Sequence, residues 1–404
     1  LAVAFVALAA GFGQFGAIAS LGDVARSFGR ITHGTTIADQ AGLSGTELGI
    51  GLAIIRLASL GGLPLAGLAD RLGRRRTLLA TCALGLLITV VAAVSPGYWW
   101  FVGIFALGRP LLSASASVSQ VAAAEQTGSH DRAKAVALIA AAYGVGSGVV
   151  AIIHSLSGSS LGFRGIFALA AVPLLLLLVL RRWVAEPDRF AVASAAAARP
   201  FPVVGAVGSA FRKRLLIVAC VAFAVAVITG PANSFLFIYS ENVVGLSGVT
   251  TALMVVAAGI AGLFGLVVGQ ALADRLGRRS TAALGMIGIS VFGVLAYSGS
   301  RAAVLAGYVT GVLAGSVFAP AAGALANELF PTSVRASVAG WLVAASVLGA
   351  VAGLLAFGAV ADVGNRFGLA ALVVFLPAVP AAALLWLVPE TKGREPEDLW
   401  PDRP

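Results

Sequence analysis

Arg56 and Arg109 stand out in a chain whose apolar runs otherwise carry almost no charge. Arg56 lies about ten residues into its run, and Arg109 about ten residues from Tyr98, Trp99 and Trp100, an aromatic group of the kind that marks a membrane interface. With a helical rise of about 1.5 Å per residue, both fall roughly 15 Å deep. A guanidinium at that depth costs at least about 2.5 kcal/mol to insert, so it must face protein or a water-filled cavity. The carboxylates Asp23, Glu47, Glu241 and Asp362 sit at the ends of runs, not at this depth. Two unbalanced guanidiniums suit a bound carboxylate, which the planar fork of arginine holds with paired hydrogen bonds. The expected substrate-binding residues are therefore Arg56 and Arg109, with Gln14, Asn233 and Tyr239 as neutral partners. A structural use competes for each arginine: Arg109 could orient helices through backbone carbonyls, and Arg56 could pair with a polar group such as Gln14.

Near Asn233, Pro231 lacks a backbone donor and frees a carbonyl, as in the interrupted helices of transporters. For Phe235, Phe237 and Tyr239 the plainer use is packing. His154, at the outer end of its run, can titrate near neutrality, though a lone histidine there is more often incidental.

A second set of charges is spelled twice. The octapeptide LADRLGRR occupies Leu68 to Arg75 and again Leu272 to Arg279, 204 residues on. Gly73 and Gly277 permit a tight turn in each copy. Glu125 and Arg132 stand seven residues apart, as do Glu328 and Arg335, at an offset of 203. The expected gating residues are Asp70, Arg71, Arg75, Glu125 and Arg132 in one half and Asp274, Arg275, Arg279, Glu328 and Arg335 in the other. Such carboxylate–guanidinium clusters could hold a gate closed and part when it opens. Anchoring to lipid headgroups is the plainer alternative for most of these arginines.

The elements that must position these residues follow from composition. The 404 residues are 59% hydrophobic and 11% charged, against about 25% charged in soluble domains. Apolar blocks of about 20 residues suit membrane-crossing helices. Gly, Pro and charged breaks place them near 1–21, 47–67, 77–95, 98–120, 134–155, 164–182, 214–238, 249–271, 281–298, 302–324, 336–360 and 367–388. The expected fold is an all-α polytopic membrane protein of twelve transmembrane helices in two pseudo-symmetric six-helix halves: residues 1–183, a cytoplasmic linker 184–213, residues 214–388 and a cytoplasmic tail 389–404. Of 27 Lys and Arg, 20 fall on one set of connections and the tail, five on the other set, and two within runs. That asymmetry predicts a cytoplasmic location for the rich side and both termini, in a bacterial inner membrane. It also accounts for the net charge of +10 without nucleic acid. Cys82 and Cys220 lie alone in apolar runs, as packing residues, with no spacing for a metal or a disulfide framework. The chain starts at Leu1 inside its first run, with no cleavable signal peptide visible.

The octapeptide resembles the loop signature G-x-x-x-D-R-x-G-R-R of the major facilitator superfamily, and the resemblance spans essentially the whole chain. The Glu-x6-Arg pairs, AEPDRF at 185–190, NELFPTSVR at 327–335 and PETKG at 389–393 look like the sugar-porter branch and its metabolite-symporter relatives. The leading Gly of the signature is replaced by Ala66 and Gln270, with Gly67 and Gly269 displaced by one position. Where sugar porters carry a fifth-span Gln stands Ala140, their seventh-span Gln pair is replaced by ITGPAN at 228–233, and their tenth-span Pro and Trp map to Ala322 and Gly323. The resemblance implies a sugar-porter scaffold without most of its sugar-binding polar set.

The expected function is secondary transport of a small solute by alternating access, with an organic anion as substrate. Efflux of drugs or amphipaths and transport of a neutral, sugar-like solute remain as alternatives. No enzyme chemistry, cofactor or metal is expected. The expected partners are the solute, the lipid bilayer and a coupling proton, on a monomer. With no carboxylate in a run interior, proton coupling would fall to Asp23, Glu241 or His154 at the outer ends.

Overall fold

The computed structural model describes residues 2–30, 37–127, 132–157, 160–184, 209–364, 366–394 and 399–400. Most of the expected linker, with AEPDRF, lies outside the described residues. Among the described residues there is no strand, and twelve helices are long and apolar enough to cross a membrane. They are α1 (Ala2–Ala19), α2 (Gly45–Gly67), α3 (Arg74–Ala92), α4 (Tyr98–Gln126), α5 (Lys134–Ser157), α6 (Gly162–Trp183), α7 (Phe211–Ser234), α8 (Gly248–Leu276), α9 (Arg278–Ala296), α10 (Arg301–Glu328), α11 (Ser337–Gly364) and α12 (Phe367–Leu387). Every expected run corresponds to one of them. Four helices, α4, α8, α10 and α11, continue at least four residues past the expected end of their runs, because hydropathy reports bilayer thickness while backbone hydrogen bonding carries the helix further.

The chain forms two compact units. Unit 1 comprises Leu1–Arg30, Ile54–Pro200 and Ser247–Ala252; unit 2 comprises Ile31–Ala53, Phe201–Leu246 and Leu253–Pro404. Ile31–Ala53, with the first nine residues of α2, is grouped with unit 2 and Ser247–Ala252, with the first residues of α8, with unit 1; the two units divide at 200/201, inside the segment expected as a linker. Internal packing follows the duplication. In unit 1, α1 packs on α5 and α3 on α4; in unit 2, α7 packs on α11 and α9 on α10.

Without a hydrophobic driving force between helices in lipid, close approach depends on small residues. On α5, a Cβ added at Gly146 would lie 2.0 Å from the Leu8 carbonyl oxygen of α1, and one added at Gly11 of α1 would lie 2.2 Å from that of Tyr143. In unit 2, a Cβ at Gly349 or Gly353 of α11 would lie 2.2 or 2.1 Å from the carbonyls of Phe223 and Val227 on α7. Val227 is four residues before Pro231, whose ring nitrogen has no hydrogen to give it. Gly353 thus sets a bare Cα–H against the carbonyl that Pro231 frees, a weak hydrogen-bonding contact no other residue could make. Helix α7 itself runs through Pro231 and breaks only at Phe235.

Candidate functional site

In unit 1 the close α1–α5 contact assembles a polar group inside the spans. Gly11 lets α1 lie on Tyr143, and three residues further along α1 the Gln14 side-chain oxygen accepts the Tyr143 hydroxyl at 3.2 Å. Arg109, on α4 and only 8% exposed, donates through Nη1 to the Gln14 carbonyl at 3.3 Å. Arg56, on α2, lies within electrostatic reach of Tyr143 and of Arg109. The Nε groups of both arginines are buried with no hydrogen-bond partner. Gln14 therefore hydrogen-bonds both Arg109 and Tyr143, a residue the sequence did not single out, while Arg56 interacts with this group through charge alone. The structural use of Arg109, bonding a backbone carbonyl, is real but occupies only part of its fork.

In unit 2, α7, α9 and α10 line an open cavity of ≈ 280 Å³. Thr229, Asn233, Tyr297, Tyr308 and Ser316 supply its polar lining, and no charged side chain borders it. Asn233 donates to the Thr229 carbonyl at 2.8 Å, and the Tyr297 hydroxyl donates to the carbonyls of Ala232 and Pro231 at 3.1 and 3.4 Å. Tyr239 does not line this space. It is buried behind the wall, its ring 4.8 Å from that of Tyr297, in a cluster with Phe357 and Phe367.

On the side carrying the octapeptides, Gly73 and Gly277 take positive φ, 97° and 101°, and turn the chain into α3 and α9. Arg74 grips Glu125 with two hydrogen bonds, Nε to Oε2 at 3.1 Å and Nη2 to Oε1 at 3.0 Å. The equivalent Arg278 pairs with Asp274 at 2.9 Å and with Glu328 at 3.6 Å. Arg75 donates to the carbonyls of Val184 and Arg181, and Arg335 to that of Phe330. Arg279 faces Glu390 at 3.5 Å and donates to the Val388 carbonyl. Arg71 and Arg275 are exposed, the Arg275 carbonyl accepting Lys392. The side chains of Asp70 and Arg132 lie outside the described ones. In each unit the glutamate of the seven-residue pair reaches back to an arginine of the octapeptide of its own unit.

Glu390 is the densest acceptor here, taking the backbone N–H groups of Arg278 and Arg279 at the start of α9 and those of Thr391 and Lys392. Burial alone would raise its carboxyl, but these four donors outweigh it and hold it below the ordinary carboxylate range. Its contribution to stability is therefore complete above the ordinary Glu value, about 4.3, and is lost as pH falls through the lowered one. The melting temperature of the purified protein should fall more steeply on acidification than that of Glu390→Gln. Parallel pH profiles would show that the carboxylate contributes nothing.

On the opposite side, His154 Nε2 lies 2.9 Å from Asp23 Oδ2, with Arg26 3.8 Å from the other carboxylate oxygen. His154 Nδ1 is buried without a partner. The histidine is thus not alone, as its sequence position suggested.

Duplicated bundles of six helices, glycine-turned basic connections and a polar group within the spans are joined by a match in sequence: the model of the Major Facilitator Superfamily matches residues 3–278 and 253–402. The chain belongs to this superfamily. A putative metabolite transport protein of Haemophilus influenzae is 27% identical over 357 residues, covering 83% of this chain and 85% of the relative. A probable 4-methylmuconolactone transporter of Cupriavidus pinatubonensis is 26% identical over 367 residues, covering 87% and 84%. In fold, the inward-open xylose transporter XylE of E. coli superposes with a TM-score of 0.76 at 20% identity over 98% of each chain. As a Major Facilitator Superfamily member the protein is a secondary transporter of a small solute rather than an enzyme.

Proposed function

We propose that the transported solute is an organic anion, held by Arg56 and Arg109 with the neutral groups of Gln14 and Tyr143. The observation that carries this is the pair of buried, unpartnered Nε groups on two guanidiniums that, among the described residues, hydrogen-bond no carboxylate. A solute carboxylate would supply the missing acceptor in the paired geometry arginine favours. The relative named for 4-methylmuconolactone lends support, since the lactone of a dicarboxylic acid keeps one carboxyl.

The octapeptide side is assigned to the cytoplasm on its excess of Lys and Arg. Because Arg74–Glu125 and Arg278–Glu328 each join helices of one unit, they brace each unit's basic end as it moves. A coupling proton is assigned to the Asp23–His154 pair. The deciding experiment is uptake into proteoliposomes of a small organic acid and of its uncharged amide. The acid should be taken up and the amide not. Glu125→Gln should lower the maximal rate with little change in half-saturation, and Asp23→Asn should remove any stimulation by a pH gradient. Preferential uptake of the amide, or of a cationic dye, would replace this reading with a neutral-solute or efflux one.

A further inference from the structure

Helix α2 begins at Leu43-Ser44-Gly45-Thr46-Glu47, and its first-turn donors are all accounted for. The Ser44 hydroxyl oxygen accepts the Glu47 N–H at 3.1 Å, and Glu47 Oε2 accepts the Ser44 N–H at 3.3 Å, a reciprocal capping box. That leaves the N–H groups of Gly45 and Thr46, which a helix cannot satisfy internally. Both are taken by Asp362, near the end of α11: Gly45 N–H to Oδ1 at 2.7 Å and Thr46 N–H to Oδ2 at 2.8 Å, with the Thr46 hydroxyl adding a third bond to Oδ2 at 2.5 Å. The backbones meet on glycine. A Cβ added at Gly358 would lie 2.2 Å from the Gly45 carbonyl oxygen, and one at Gly49 would lie 2.6 Å from that of Leu354. Both segments belong to unit 2, although the remainder of α2 belongs to unit 1.

The start of α8 repeats the phrase. Leu246-Ser247-Gly248 follows Leu43-Ser44-Gly45 by 203 residues. Its serine also caps, taking the Thr250 N–H at 3.2 Å. Its glycine meets the Ser155 carbonyl of α5, 1.8 Å from an added Cβ, within unit 1. The duplicated design therefore places a carbonyl at one helix start and a carboxylate at the other.

We propose that Asp362 is a latch that pins the first turn of α2 to α11 and must release before the side opposite the octapeptides can open. This rests on alternating access. A carboxylate receiving two N–H groups and a hydroxyl makes bonds stronger than neutral ones. Released, all three donors and the carboxylate pass to water, so the latch biases the two states and does not lock one. Asp362 is thereby a positioning residue for transport, setting how often the opposite side opens.

The test uses the full chain, purified in lipid nanodiscs, with Cys220 replaced by alanine and a reporter cysteine at Ala53, which is 4% exposed on α2. The alkylation rate of that cysteine by a fluorescent maleimide reads opening. Asp362→Ala should raise the rate about ten-fold, the equivalent of one charged hydrogen bond lost. Thr46→Ala, which removes only the hydroxyl, should raise it less. The near-isosteric Asp362→Asn, whose amide would point a donor at a donor, should resemble the alanine variant and serves where alanine impairs folding. Unchanged rates in Asp362→Asn and Thr46→Ala, with slow but measurable labelling in the parent, would overturn the latch alone. A parent cysteine that labels only after unfolding would overturn alternating access, and the latch with it.

Discussion

Alanine at Gly146 is expected to abolish the α1–α5 contact, whereas alanine at Gly144 or Gly148, on the same stretch of helix, is expected to be harmless or mildly stabilising. The Gly146 methyl would lie 2.0 Å from a backbone oxygen of Leu8, which no rotamer change can move aside; around Gly144 and Gly148 an added Cβ meets nothing within 4 Å. Overpacking typically costs about 1–3 kcal/mol where side chains can yield, and here backbone must shift. The two control positions should gain up to about 1 kcal/mol from the helix preference of alanine over glycine. Because Gln14 reaches Tyr143 through this contact, Gly146→Ala should also remove solute binding. Thermal melting of the three purified variants in one detergent decides the matter. Equal melting temperatures would mean that α1 and α5 do not touch as described. Gly353→Ala provides the repeat in unit 2, with a further loss because it also displaces the Cα–H from the carbonyl that Pro231 frees.

The second large effect is expected at Arg56. Replacement by glutamine should weaken binding of an organic anion on the order of ten- to a hundred-fold, from a charged hydrogen bond worth about 1.5–3 kcal/mol. Arg56→Lys should fall between the two, since it keeps the charge and loses the planar fork. Binding of the uncharged amide should respond to neither. Titration calorimetry on purified protein with the acid and its amide separates the outcomes. Arg56 is the informative choice because Arg109 already bonds the Gln14 carbonyl, and its loss would disturb α1 as well. Indifference of acid binding to both substitutions would leave Arg56 a packing residue.

The transmembrane architecture was legible because it depends on quantities a sequence carries directly: apolar run length, the punctuation of Gly and charge, and a repeated phrase. The turn at Gly73 and Gly277 was legible for the same reason, since positive φ leaves a glycine signature. Partner choice was not. The spacing sets Glu125 near Arg132 along the chain, but it gives no sign that Glu125 also closes on Arg74, which the packing of α3 on α4 brings beside it. Tyr143 escaped notice because a tyrosine in an apolar helix is ordinary until Gly11 is seen against its carbonyl. Asp362 was read only as a carboxylate at a span end. Its signal was present in the repeated Leu-Ser-Gly, since the two helix starts it marks are the pieces exchanged between the units.

On the proposed anion site, the two guanidiniums within the spans would also make transport sensitive to voltage. A charge that crosses the whole membrane field gains or loses about 2.3 kcal/mol for every 100 mV. Among the described residues neither Arg56 nor Arg109 has a hydrogen-bonded carboxylate, so reorientation of the proposed site without solute would move positive charge relative to that field. An inside-negative potential then draws the empty site toward the inner face. If the solute is the proposed monoanion, it would cancel one of these charges, and the loaded and unloaded steps of the cycle would carry different currents.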